Sequence, residues 1–476
     1  MSFGLNSNYY DSSFTALINS GKNFSGFAKN YYIRYLRYPG GLESRTYFWD
    51  KPSLTPQARL LYANVLKVKS PDKLNKAKHN EKLSENGSTI VSTAQYGNFL
   101  NFCKKNDVTP IIVLNTWYYH DESKVYAIYS DDKLNDSKWD QILDNIKKQI
   151  EYTHKVYNST VYWEIGNEDN HVYSATIYSQ IVSKYASVIK ASFPNDKVLI
   201  NFSNPTGKKI EANWNENIID ALASSNAIRY IDFIAPHYYR GFKTDENYKS
   251  MVNSNDIAAR FKKLNIFEET QKFDQILHSY PNIHIFFTEF GLFPKITNPN
   301  YNSQLEGLLM LYYLMEFNAS KRVDGIIRHG FTQPSSGFYF DNNTFKQLKY
   351  NFNPEDDKTY NVFKYIPPKA KVVKIFFDNN PIKATKYVET NSYSYTISTF
   401  SNSSACIINL INFGGTPVNF NIKDVLNNMS GEKLTITTYT FTDLNNKQWS
   451  NNKTSSVFTS AVQLPSYSFS VINTGK

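Results

Sequence analysis

The sequence has little cysteine, little glycine and no long apolar run, and each shortage removes a class of protein. Only Cys103 and Cys406 are present among 476 residues. They form no CxxC pair, so a thiolate zinc site and a redox dithiol are both disfavoured, and two free buried thiols are expected. Only 19 glycines occur. No stretch of about 18 apolar residues exists, so no membrane-spanning helix is expected. The N-terminus, MSFGLNSNYY, shows neither a basic n-region nor an apolar h-region. Signatures with a known mechanism are missing as well. There is no HExxH helix, no phosphate-binding P-loop, no GxGxxG after a strand and no GxSxG elbow. Neither a metal nor a cofactor is therefore expected.

What the chain does have is apolar and aromatic material. Hydrophobic residues make up 41% and aromatics 16%, with 36 Tyr and 33 Phe, enough for a sizeable core. The length exceeds one ordinary domain of ~150 residues and suits one large barrel with a smaller module. The formal charge is +10, from 52 Lys+Arg against 42 Asp+Glu. The basic residues are scattered, without an arginine-rich run or a nucleic-acid motif. That charge fits an acidic polysaccharide partner, but a plain lysine-rich, solvated surface is the better fit.

Eight short apolar runs punctuate the first three quarters of the chain: SFGLN (2–6), IRYLRY (33–38), TPIIVLN (109–115), TVYWEIGN (160–167), KVLINFS (197–203), IDFIAPHYY (231–239), IHIFFTEF (283–290) and GIIRHGF (325–331). Helix-length segments with 3.6-type periodicity separate most of them, such as SKWDQILDNIKKQIEYTHKVY. Eight strands alternating with helices predict an α/β chain folded as a (β/α)8 barrel over residues 1–366. After Pro367 and Pro368 the runs KVVKIFF, SYSYTISTF, ACIINLINF, KLTITTYTF and SYSFSVI predict a C-terminal antiparallel β-sandwich over 367–476.

In such a barrel the C-terminal strand ends form the active face. The fourth run ends on Asn167 and Glu168, the seventh on Glu289, the sixth on His237 and Tyr239, and the second carries Arg37. Two carboxylates facing across a barrel mouth suit cleavage of a glycosidic bond. One protonates the leaving oxygen while the other attacks the anomeric carbon or activates water, which requires unequal environments for two similar groups. Arg37 and Tyr239 are placed to donate to Glu289 and hold it ionised. Asn167 is placed to bind the sugar hydroxyl beside the reacting carbon. Trp117 offers a flat face for a pyranose ring. Glu164 shares the strand parity of Glu168 and is expected one layer lower, paired with a barrel arginine, whereas Trp163 has the other parity and is expected beneath a helix.

These residues resemble a known group. WEIGNE (163–168) is similar to the acid/base signature of clan A glycoside hydrolases, and FFTEFG (286–291) to their nucleophile signature. HYY (237–239) resembles their sixth-strand His-x-Tyr. LRYPGG (36–41) and LPSYSFSVI (464–472) resemble segments of α-L-arabinofuranosidase-like, β-xylosidase-like and heparanase-like (β-glucuronidase) members. The resemblance implies retaining hydrolysis of an oligo- or polysaccharide, with Glu168 as acid/base and Glu289 as nucleophile. It implies Asn167, His237, Tyr239 and Arg37 in support, and a secreted location. Two positions depart from the pattern. Asp169 stands where proline often follows the acid/base, and Arg328 with His329 stands where a sugar-stacking tryptophan is common. Arg328 is a candidate to meet a substrate carboxylate or is structural. An inactive carbohydrate-binding barrel is the competing reading. The sugar, the linkage and endo or exo action depend on loops 51–89, 116–137 and 240–262.

Overall fold

The computed structural model describes residues 1–6, 18, 24–54, 57–58, 60–62, 95–121, 124–130, 133–134, 136–204, 211–239, 266–291, 304–329, 368–389, 393–399, 406–422, 434–441, 451–458 and 460–474. Loop 240–262 lies outside them, as do most of 51–89 and the end of the run 325–331.

The eight apolar runs are the eight barrel strands: β1 (Ser2–Asn6), β2 (Ile33–Tyr38), β3 (Thr109–Leu114), β4 (Tyr162–Ile165), β5 (Lys197–Phe202), β6 (Phe233–Tyr239), β7 (His284–Gly291) and β8 (Val323–Arg328). Each pairs in parallel with its neighbours, and β1 closes on β8. Between them run α1 (Ser25–Asn30), α2 (Tyr96–Lys105), α3 (Trp139–Val156), α4 (Ala175–Ser192), α5 (Trp214–Ser224), α6 (Ile266–Ile276) and α7 (Gln304–Ala319). Helix α3 shows why. Trp139, Ile142, Ile146 and Ile150 recur at helical spacing and are buried, while Lys147, Lys148 and Glu151 face water. Helix α4 starts at Ser174, whose hydroxyl accepts the Ile177 N–H at 3.3 Å.

Inside the barrel, Ile111, Leu199, Phe233, Ala235, Phe286 and Ile327 form an apolar plug, with Tyr35 and Tyr162 packed edge-on against Phe286. Gly325 makes room for it, because a Cβ there would lie 2.2 Å from the Phe286 ring. The plug seals the lower barrel and leaves the strand ends above it for polar side chains.

One expected strand is a helix. KVVKIFF lies within α8 (Pro368–Asn379), with Val372, Val373 and Phe376 buried. A short apolar run does not distinguish strand from helix by itself. Here tertiary contacts decide, because Phe377 stacks on Tyr32 at 5.3 Å and Asp378 accepts from the Tyr32 hydroxyl at 2.8 Å. Helix α8 thus covers the barrel beside β1 and β2. The sandwich strands begin at Lys386: β9 (Lys386–Glu389), β10 (Ser394–Thr399), β11 (Cys406–Asn412), β12 (Val418–Asn421), β13 (Leu434–Phe441), β14 (Asn451–Phe458), β15 (Ala461–Leu464) and β16 (Ser468–Asn473). Their order is β9-β10-β11-β16-β13-β14 in one antiparallel sheet, with β12 and β15 paired as a second layer. Ile408, Leu410, Ile436 and Ile472 pack toward Phe420 and Leu464 of that second layer. Ile407, Ile411 and Phe469 face the barrel helices, where Tyr312 meets Phe413 edge-on at 5.0 Å. This second contact explains why α7 is apolar all round from Leu308 to Met315. Both cysteines are free and buried. Among the described residues, no helix is long and apolar enough to cross a membrane.

Candidate active site

Strand β4 delivers its polar residues through a constrained turn. Gly166 has φ +77, and a Cβ there would sit 1.8 Å from Asp169 Oδ2, so only glycine fits. Asn167 is buried, and Glu168 follows with φ 51 and ψ 37, a left-handed conformation that costs a non-glycine residue on the order of 1 kcal/mol. Surrounding groups hold it there. Arg45 donates from Nε to the Asn167 carbonyl at 2.9 Å and from Nη2 to the Glu168 carbonyl at 3.0 Å. Asn201, near the end of β5, accepts the Asp169 N–H and donates to the Gly166 carbonyl.

Strand β7 delivers the second carboxylate through a bulge. Phe287 to Phe290 spans three steps, whereas their β8 partners, Ile326 to Arg328, span two. The ladder with β6 shows the same extra residue. The bulge turns both Thr288 and Glu289 inward: the Thr288 hydroxyl donates to Glu164 at 2.9 Å, and Glu289 faces the mouth. Phe290 points out and packs on Tyr238 and Phe317.

Arg37 joins the two halves. It is fully buried and donates to Glu164 from Nε at 2.5 Å and Nη2 at 3.0 Å, to Glu289 Oε1 at 2.8 Å and to Asn167 Oδ1 at 2.8 Å. Glu164 therefore lies one layer below the mouth, paired with a barrel arginine as its parity predicts. Tyr239 donates its hydroxyl to Glu289 Oε2. Burial alone would raise the Glu289 carboxyl, but His237, His329, Arg37 and the Tyr239 hydroxyl hold it well below the ordinary carboxylate range.

Glu168 is differently placed. Its side chain is 27% exposed, against 5% for Glu289. His237 Nδ1 lies 3.1 Å from Glu168 Oε1 and 3.5 Å from Glu289 Oε2, with Nε2 3.8 Å from Glu164 Oε1. Burial lowers the imidazole, yet the three carboxylates outweigh it and raise His237 to about 9. The charged His237 in turn draws Glu168 down, against burial and the repulsion of Glu289. Beside Glu168 opens a cleft of about 180 Å³, lined by Asn170, His171, Asn201, Ser203, His237 and Tyr239 among others.

The expected residues do not all gather here. Glu168, Glu289, Asn167, His237, Tyr239 and Arg37 do. Trp117 does not offer an open face: its Nε1 donates to Asp169 at 2.8 Å and the Arg45 guanidinium covers its ring at 4.6 Å. Trp163 is buried outside the barrel and donates to Asp196 at 2.7 Å. Arg328 points into the wall, donating to the Phe290 carbonyl at 2.8 Å and to Glu306 at 3.4 Å, so its charge is engaged away from the mouth. His329 is the eighth-strand residue that reaches the site, 3.5 Å from Glu289 Oε2. Burial lowers its pKa against the pull of Glu289, and its Nδ1 meets Asn6 Nδ2 at 2.9 Å. Asn6 also reaches Glu289 Oε1 at 3.4 Å. Asn6 ends β1 as Asn167 follows β4, so the strand-end rule would have found it. Arg45 has no such signal, because it lies in the turn Gly41–Arg45 beyond β2.

Ligand atoms of Glu168, His237 and Glu289 all lie within 4.8 Å of one another, a spacing a metal ion could use. The bonding there opposes a cation, since Arg37 already occupies one Glu289 oxygen and Tyr239 the other. The arrangement suits two carboxylates acting on one bond.

No protein-family model and no curated protein matches the sequence. Solved structures do resemble the fold. An α-L-arabinofuranosidase from Thermotoga maritima in an arabinose complex shares 14% identity at a TM-score of 0.59, over 99% of this chain and 96% of that one. A family 51 α-L-arabinofuranosidase from Bifidobacterium longum shares 11% at 0.61, over 100% and 95%. A family 44 endoglucanase from Clostridium thermocellum shares 11% at 0.53, over 93% and 94%. What this chain has in common with these glycoside hydrolases, along nearly its whole length, is their architecture of a barrel followed by a sandwich.

Proposed function

We propose that the protein is a retaining glycoside hydrolase that cleaves an oligo- or polysaccharide by double displacement. The observation that carries the reading is the pairing of two unequal carboxylates whose oxygens come within 4.8 Å. Retaining enzymes place their carboxyl groups ~5–5.5 Å apart, whereas inverting ones leave ~6.5–9.5 Å for a water. Glu289, enclosed and held ionised, attacks the anomeric carbon. Glu168, partly open to the cleft, gives a proton to the departing oxygen, and a glycosyl ester forms on Glu289. Water then attacks that ester while Glu168 takes up its proton, which restores both groups. Asn167, whose amide oxygen Arg37 fixes, turns its N–H toward the sugar hydroxyl beside the reacting carbon.

The proton that Glu168 needs rests on His237 in the free protein. A seated substrate displaces water from the exposed part of Glu168. An ion pair loses more from that than a neutral pair does, so the proton passes to the carboxylate along the 3.1 Å contact between His237 Nδ1 and Glu168 Oε1. Among sugars we favour a neutral, arabinofuranoside-like glycoside over a uronic acid. The engagement of Arg328 with Glu306 and the likeness to two α-L-arabinofuranosidases support that choice.

Hydrolysis of a panel of aryl glycosides, with trapping by the matching 2-fluoro sugar, tests the reading. The expected result is turnover of at least one glycoside and mass labelling of Glu289. No turnover on any glycoside or polysaccharide, with no label, overturns it in favour of an inactive carbohydrate-binding barrel.

A further inference from the structure

Behind Glu168 lies another carboxylate, Asp169, that no step of the proposed reaction uses. It is fully buried in the wall between β3 and β5. Thr116 donates its hydroxyl to Oδ2 at 2.7 Å, and Trp117 donates Nε1 to Oδ1 at 2.8 Å. Both oxygens thus accept, one from each of two residues just past β3. The backbone N–H of Asp169 donates to Asn201 Oδ1 at 3.2 Å, which ties the same residue to β5. Trp117, so anchored, carries on its face the Arg45 guanidinium that holds the carbonyls of Asn167 and Glu168. Gly166 leaves the space that Oδ2 fills.

A proline at 169 is incompatible with this turn. It has no N–H for Asn201, and its ring disfavours a helical or left-handed ψ such as the 37° of Glu168. The chain therefore fixes the turn by side-chain bonding instead of by a ring.

We propose that Asp169 is a positioning residue: by locking the turn from Gly166 to Asp169 it holds Glu168 in the left-handed conformation that aims its carboxyl at His237 and the scissile oxygen. This rests on the glycosidase reading. Removing the lock should act as a partial loss of Glu168 itself. The effect then depends on how much the leaving group needs a proton, and it does not add to loss of Glu168.

The test compares kcat/KM on a phenyl and a 2,4-dinitrophenyl glycoside of the sugar that the wild type cleaves. Asp169→Ala should lose on the order of 10²-fold on the phenyl glycoside and less than about 10-fold on the activated one. Asp169→Asn, whose Oδ1 still meets Trp117 and whose N–H meets the Thr116 oxygen, should recover most of the loss. Glu168→Ala/Asp169→Ala should be no slower than Glu168→Ala. Should Asp169→Ala fail to fold, Trp117→Phe removes one anchoring donor and should give the same leaving-group pattern. Equal loss on both substrates, or an additive double variant, overturns the proposal. A wild type that cleaves no glycoside overturns the reading beneath it instead, and is seen before any variant is made.

Discussion

Arg37 Nη1 donates to Glu289 Oε1 across 2.8 Å, with the arginine side chain fully out of water and the glutamate 5% exposed. The same guanidinium serves Glu164 and Asn167, so one residue compensates two buried negative charges. Arg37→Ala should destabilise the fold by about 3–5 kcal/mol, because it strands both carboxylates. Arg37→Lys keeps the charge without the planar fork, and should fold while losing at least about 10²-fold in kcat. Thermal unfolding and steady-state kinetics on the same preparations separate the two effects.

Tyr239 donates to the other oxygen of Glu289, Oε2. Bonds to a charged acceptor contribute about 1.5–3 kcal/mol, so Tyr239→Phe should lower kcat by roughly 10- to 100-fold with little change in melting temperature. An unchanged kcat would show that the hydroxyl does not aim the attacking oxygen.

The pH profile should carry the signature of the shared proton. Glu289, held below the usual carboxylate range, places the acid limb of kcat/KM below about pH 4. His237 and Glu168 jointly hold one proton, lost as pH rises through about 9, so the alkaline limb belongs near that value. His237→Gln removes the store and leaves Glu168 to titrate on its own. Its alkaline limb should move down by roughly 2 pH units or more. A limb that stays in place would mean that His237 does not share the proton.

Asp169 should leave a mark on stability. Burial raises its carboxyl to about 6, above the ~3.9 of an unfolded aspartate. Its ionisation therefore costs the folded state stability above pH 6, and that cost is relieved as pH falls from 6 toward 4. Asp169→Asn has no such dependence. Between pH 7.5 and 4.5 the wild type should gain on the order of 2 kcal/mol relative to the variant, read by urea unfolding at both values.

Gly166→Ala places a methyl group 1.8 Å from Asp169 Oδ2 at φ +77. It should cost at least about 2 kcal/mol in unfolding free energy and depress activity further than its stability loss explains. Full activity in a stable Gly166→Ala protein would show that the turn tolerates another geometry.

The strands and most of the site were legible because they follow local rules. Apolar runs punctuated by helical periods mark a barrel, and strand ends mark its mouth, so Glu168, Glu289 and His237 could be picked from the chain. Helix α8 was misread as a strand, since KVVKIFF satisfies either period and only tertiary packing, against α7, Phe3 and Tyr32, chooses. The nonlocal partners were invisible too. Arg45 sits in a turn with no motif, and Arg328 gave no sign that Glu306 would take its charge.

By itself the sequence determined the eight barrel strands, their order and the residues delivered to the barrel rim. These depend on the spacing of apolar side chains along one chain. Tertiary structure alone decided where the charges point. Strict alternation from the plug residue Phe286 puts Thr288 inward and Glu289 outward. The extra residue in β7 brings both inward, because the ladders to β6 and β8 each absorb one unpaired step there. Asp169 is the same case: its meaning lies in Thr116, Trp117 and Asn201, which are remote in sequence and meet only when the barrel closes.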